Sequence, residues 1–175
     1  MKPPRLFLVG PPAAGKTWWG RRWAAELGCP FYDTDAEIER RTGLSIAEWF
    51  ARGEAAFRAQ EWAVLKALLQ ETAFGLYAVG GGFPAQAGAM DFLLSQGYCL
   101  WIDPPWSELR QRLRAAMDRP LLQGRSEDAW QALIEARRPA YRKADLHWYT
   151  ALVPPAQVLK WVRQVLATCG VERVS

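Results

Sequence analysis

Lysine, histidine and cysteine are scarce in this chain of 175 residues, which has five lysines, one histidine (His147) and three cysteines (Cys29, Cys99 and Cys169). The cysteines lie far apart and form no C-x-x-C pair. With a single histidine beside them, a zinc ligand set is not expected. Three scattered thiols also make a poor disulfide framework, so reduced and mostly buried cysteines are expected. No apolar run reaches the roughly 18 residues of a membrane span. The opening MKPPRLFLVG carries two prolines and a short apolar run, and it makes a poor signal peptide. No continuous run of basic residues is present, so a nucleic-acid partner is not expected. A cytoplasmic protein without a membrane or nucleic-acid partner is therefore expected.

Arginine is abundant where lysine is not. The chain has 22 Lys and Arg against 18 Asp and Glu, for a net charge of +4. Arginine suits planar, bidentate recognition of phosphate and carboxylate, although its abundance, with that of Ala, Gly and Trp, also fits a GC-rich genome. Half of the residues are hydrophobic, enough for one domain with one core.

Short apolar runs alternate with helical patterns. RLFLVG, PFYDTD, GLYAV, YCLWID and LHWYTA read as five strands. The helix after RLFLVG spaces Trp19, Trp23 and Leu27 four apart and closes at Gly28. Ser45 and Glu48 form a capping box before a short helix. Further helices are expected from about Glu54 to Gln70, up to Gly97, around Glu108 to Ala116, from Glu127 to Arg142, and from Pro155 to Thr168. The alternation predicts a parallel α/β sheet with helices on both faces.

Gly10, Pro11, Pro12, Ala13, Ala14, Gly15, Lys16 and Thr17 fit G-x-x-x-x-G-K-[ST] between a strand and a helix, the setting that motif requires. Backbone N–H groups at a helix N-terminus hold phosphate. Lys16 can reach the outer phosphates, and the Thr17 hydroxyl can join a Mg²⁺ shell. Trp19 belongs to the buried stripe. Trp18 lies off it, beside Thr17 and within reach of a nucleotide, although helix packing explains it as well.

Asp33 and Asp35 flank Thr34 at a strand end. In an extended chain both carboxylates would share one side and face the phosphate crevice. One could hold Mg²⁺ through water and the other accept a hydroxyl proton; Asp35 is also a plausible helix N-cap. Arg58 and Glu61 are three apart on one helix and can pair. Trp130, Ile134, Arg137 and Tyr141 make an apolar stripe with one arginine in it. Such a position is costly without an anionic ligand, so Arg137 is expected to face one and Arg138 to point elsewhere. Gly80, Gly81 and Gly82 end the third strand and allow close backbone approach. The turn DRPLL places Arg119 on a lid.

Taken together, GPPAAGKT, FYDTDAEIERRTG, FR followed by Glu61, the triple glycine, RPLL and RRPAYRKAD resemble shikimate kinase over nearly the whole chain. The resemblance implies a three-layer nucleoside-monophosphate-kinase-like domain over 1–175, with a five-stranded parallel sheet in order 2-3-1-4-5. It also implies a lid near 112–126 and a substrate-binding region near 33–62. It implies a monomer that phosphorylates the shikimate 3-hydroxyl with ATP and Mg²⁺. Lys16 and Thr17 would serve the phosphates and metal, and Asp33 the metal through water. Asp35 would bind the acceptor hydroxyl as candidate base. Arg58 and Arg137 would bind the carboxylate, with Glu61 orienting Arg58 and Gly80 to Gly82 lining the pocket. Arg119 would be the lid arginine, and Arg112 and Pro155 would flank adenine. The chain departs from the family at Ala13 (usually Gly), Trp18 (a small hydroxyl residue) and Val79 (often Thr), which bears on nucleotide affinity. A gluconate-type kinase and a non-catalytic nucleotide-binding regulator are the competing readings.

Overall fold

The computed structural model describes residues 2–116 and 124–167. Five strands form one parallel sheet: β1 (Arg5–Val9), β2 (Phe31–Asp33), β3 (Gly75–Ala78), β4 (Tyr98–Asp103) and β5 (Leu146–Tyr149), in the order β2-β3-β1-β4-β5. This is the order the resemblance implies. Eight helices are described: α1 (Lys16–Leu27), α2 (Thr34–Thr42), α3 (Ile46–Ala51), α4 (Glu54–Glu71), α5 (Ala89–Gln96), α6 (Trp106–Ala115), α7 (Glu127–Tyr141) and α8 (Pro155–Ala167). No helix among the described residues is long and apolar enough to cross a membrane.

The central strands are unbroken apolar runs because both of their faces are covered. Leu6, Leu8, Leu100, Ile102 and Trp148 point to one side, where Trp23, Leu109, Leu113, Val158 and Val162 cover them. Phe7, Val9, Tyr77, Cys99 and Trp101 point to the other, under Leu65, Leu68, Met90 and Leu93. An indole cluster strengthens the first layer. Trp19 lies 5.3 Å from Trp23 and 5.0 Å from Trp148, and Trp23 lies 5.4 Å from Trp148, all between ring centroids. Gly28 closes α1 in the left-handed conformation, and the Ser45–Glu48 capping box opens α3, both as the sequence predicts.

Helix α7 does not lie on one face. Trp130 and Ile134 join the first layer, whereas Tyr141 is fully buried in the second. The helix therefore crosses the carboxyl edge of the sheet, where β1 runs into the glycine-rich loop. Arg137 rides on it at that crossing.

Candidate functional site

The loop from Gly10 to Gly15 links β1 to α1. Gly10 (φ 146°) and Gly15 (φ 95°) take positive φ, which glycine adopts freely. Ala13 takes it too, at φ 64°, and no other described non-glycine residue does so. A Cβ in that region costs about 1–2 kcal/mol. Glycine's greater freedom in the unfolded chain offsets about 0.4–1 kcal/mol of that, so Ala13→Gly is expected to raise Tm by about 1–3 °C in calorimetry. A fall in Tm would mean that the Ala13 methyl, which packs against the core, contributes more than the strain costs.

Lys16 Nζ donates to Gly10 O and Pro11 O, each at 2.8 Å. Burial pulls its pKa down to about 8, while Asp35 and Asp33 act in the opposite direction. The Thr17 hydroxyl donates to Asp33 Oδ2 at 2.6 Å. Asp33 Oδ1 accepts from the amides of Asp35 (3.0 Å) and Ala36 (3.2 Å). Here the structure corrects two expectations. Asp33, not Asp35, caps the helix, and the helix begins at Thr34, so no extended chain aligns the two carboxylates. They meet the loop differently: Asp33 as the cap beside Thr17, Asp35 from the first turn of α2.

Asp35 Oδ1 is buried and has no hydrogen-bond partner. Burial and the Asp33 charge push its carboxyl up to about 6, against the pull of Lys16. Glu61 is only 5% exposed. Its Oε2 accepts from Arg58 Nη1 (2.7 Å) and Gln86 Nε2 (2.8 Å). Burial pushes it up to about 7 despite Arg58. The Arg58–Glu61 pair is thus formed, and in a buried setting rather than on the surface.

Each of the three consecutive glycines faces a group of the site at a distance that a Cβ would crowd. A Cβ on Gly80 would stand 2.9 Å from Glu61 Oε1 and 3.0 Å from Asp35 Oδ1. On Gly81 it would strike Pro12 of the phosphate loop at 2.8 Å, and on Gly82 the Arg58 guanidinium at 2.5 Å. The segment is held in place by Thr34 Oγ1, which accepts from Gly80 N at 3.1 Å, and by the Tyr141 hydroxyl, which donates to Gly81 O at 2.7 Å. Val79, which precedes it, is buried.

The charges of Arg137 and Arg58 both act on the Tyr141 hydroxyl. Two arginines from different helices therefore converge beside the triple glycine. The Arg137 charge is felt at Lys16 as well. No carboxylate pairs with Arg137 among the described residues. Arg138 is turned away and bound to Asp103, at 3.0 Å through each of two nitrogens.

The nucleotide side is more open. Arg112 Nη1 donates to Ala13 O at 3.1 Å and Nη2 to Glu108 at 3.1 Å. This brings α6 against the phosphate loop. Pro155 opens α8 and is exposed. Trp18 is 57% exposed, with the Arg22 guanidinium 5.4 Å from its ring. Trp18, Thr17, Arg21 and Arg22 line an open depression of about 610 Å³. Arg119 and the DRPLL turn lie outside the described residues. Gln86, Thr34 and the positioning role of Tyr141 were not read from the sequence. The tyrosine sat on the α7 stripe as an apparent core residue, and the other two carry no local signal.

A parallel sheet in this order, with a phosphate loop at the edge of β1 and carboxylates and arginines gathered opposite it, defines a phosphate-loop kinase. The family model for shikimate kinase matches residues 12–167. The shikimate kinase of Aquifex aeolicus is 38% identical over 157 residues, covering 89% of this chain and 92% of that protein. That of Parasynechococcus marenigrum is 43% identical over 164 residues, covering 92% and 85%. The structure of shikimate kinase from Acinetobacter baumannii in complex with shikimate superposes with a TM-score of 0.82 at 35% identity, covering 97% of this chain and 96% of that one. The chain belongs to the shikimate kinase family.

Proposed function

We propose that this chain transfers the γ-phosphoryl group of ATP to the 3-hydroxyl of shikimate. One observation carries the reading. An unpartnered carboxylate oxygen, Asp35 Oδ1, lies beside the phosphate-loop lysine and opposite a two-arginine anion site. An acceptor with a hydroxyl at one end and a carboxylate at the other matches that arrangement. The Acinetobacter relative was solved in complex with shikimate, which is such a compound.

Each residue then has a task. The loop amides and Lys16 hold the phosphates. Thr17 Oγ1 and Asp33 Oδ2 supply hard oxygen donors of the kind Mg²⁺ takes alongside substrate phosphates; when bound, the ion neutralises charge on the β- and γ-oxygens. Arg112 and Pro155 flank the base, with Trp18 near the nucleotide. Arg119 is assigned to the lid. Arg58 and Arg137 bind the acceptor carboxylate, while Glu61 and Gln86 fix Arg58. Asp35 takes the hydroxyl proton as the new O–P bond forms and the bond from the γ-phosphorus to the ADP oxygen breaks.

ADP release tests this directly. Turnover is expected with ATP, Mg²⁺ and shikimate, and only background with ATP alone or with gluconate in place of shikimate. Background release alike with and without shikimate would mean a non-catalytic nucleotide binder, and turnover with gluconate would mean the related sugar-acid kinase.

The anion site has its own test. Arg137→Lys keeps the charge and loses the planar fork. It is expected to raise KM for shikimate about ten- to a hundredfold, since charge-assisted hydrogen bonds contribute roughly 1.5–3 kcal/mol. KM for ATP is expected to hold. An equal rise for both substrates would remove Arg137 from the acceptor site.

A further inference from the structure

Asp103 is the one residue on the inner strands whose carboxylate is buried without any part in the chemistry above; it is 2% exposed at the end of β4. Two groups satisfy it. Arg138 donates to both of its oxygens at 3.0 Å, and His147 Nε2 lies 2.7 Å from Oδ2. Trp101 completes the cluster, with the His147 ring stacked on it at 3.9 Å and the Arg138 guanidinium 4.6 Å from its ring. A bidentate pair held over an indole has little freedom to rotate or slide.

We infer that the Asp103–Arg138 pair is a positioning clamp for Arg137. Arg138 is the next residue on α7, and Asp103 belongs to the strand that pairs with β1. The clamp therefore ties the helix that carries the acceptor-binding arginine to the part of the sheet that carries the phosphate loop. Three residues further on, Tyr141 makes the second tie, to Gly81 O. Arg137 adjoins the first of these fixed points, on β4, and lies one helical turn before the second, on the triple glycine. One tie alone would allow α7 to pivot about it; two set the direction in which the Arg137 fork points. Positioning of this kind acts on acceptor binding and leaves nucleotide binding alone. The inference rests on the assignment of Arg137 to the acceptor carboxylate.

The test is a double-mutant cycle read in steady-state kinetics. Arg138→Gln leaves Asp103 its His147 partner, so the chain is expected to fold; circular dichroism and Tm check this. The variant is expected to raise KM for shikimate about five- to tenfold, with KM for ATP and kcat within about twofold. Arg138→Lys, which cannot make the bidentate contact, is expected to fall between it and the parent. His147→Gln leaves the clamp whole and is expected to leave both KM values unchanged. Contacting residues that act as a unit are not additive. In an Arg137→Ala background, Arg138→Gln is therefore expected to add no further rise in KM for shikimate. A full additional rise in that background overturns the clamp, as does an equal rise in both KM values or no rise in the single variant. An unchanged KM for shikimate in Arg137→Ala alone overturns the assignment of Arg137 and the clamp with it.

Discussion

Asp35→Asn is expected to bind ATP with near-normal affinity and to lose about two to four orders of magnitude in kcat, the usual contribution of a positioned general base. Asparagine keeps the shape of the side chain but has neither the charge nor the proton affinity. The pH profile of the parent provides a second measurement. Asp35 must be ionised to accept a proton, and its carboxyl is held up at about 6. Glu61, held at about 7, interacts with it, so the acid limb belongs to the pair. kcat/KM for shikimate is expected to fall as pH drops through about 7 to 6. Stability runs the opposite way. The folded chain binds these protons more tightly than the unfolded chain does, so ionising the two groups opposes folding increasingly as pH rises from about 4 towards 7. Asp35→Asn removes one such charge. Its Tm at pH 8 is expected to equal or exceed that of the parent. Near-normal kcat, or a Tm well below the parent's, would reduce Asp35 to a structural residue.

Lys16→Ala is expected to fold and to retain less than about one hundredth of the parent kcat. Charge develops on the transferring phosphoryl group, and a fixed cation in a dry site stabilises it; even one lost preorganised donor costs about a hundredfold. The fold tolerates the change because the buried ammonium costs free energy, as its lowered pKa of about 8 shows. Among the described residues it donates hydrogen bonds to two carbonyls of its own loop. The same value predicts that nucleotide affinity weakens above about pH 8, where the empty site no longer holds the proton and phosphate must recruit it. Binding titrations at pH 7 and pH 9 in buffers of different ionisation enthalpy check this: proton uptake is expected at pH 9 and not at pH 7. A tenth or more of parent kcat in Lys16→Ala would contradict the role.

The phosphate loop and the Arg58–Glu61 pair were legible because each depends on residues close in sequence or on a motif with a fixed structural setting, whereas the strand order came only through the family resemblance. The departures share a cause. The Asp33–Asp35 spacing was read as that of an extended chain. The chain becomes helical at Thr34, where an aspartate with two free amides ahead of it makes a better cap than a strand residue. Arg138 could be seen to point away from Arg137, but its partner Asp103 is 35 residues distant and no periodicity links them. Gln86 and Tyr141 likewise act across long separations, on Glu61 and Gly81. Three glycines in a row were legible as a close approach. Which four residues approach them, Asp35, Glu61, Pro12 and Arg58, was fixed only by the packing of α2, α4 and the loop against the end of β3.

The indole cluster has an optical consequence. Trp18 lies 4.5 Å from Trp19 between ring centroids, and Trp19 in turn adjoins Trp23 and Trp148. Excitation absorbed by any of the four passes among them within the excited-state lifetime, so they act as a single antenna. Its energy drains to the member with the lowest-lying excited state, which is the water-bathed Trp18. That indole follows Thr17 directly in the chain. Ten tryptophans would ordinarily blur any intrinsic emission signal, but here the outlet of the antenna adjoins the phosphate loop. With Trp18 placed near the nucleotide, as proposed above, the intrinsic emission of the unlabelled protein is expected to change when nucleotide binds.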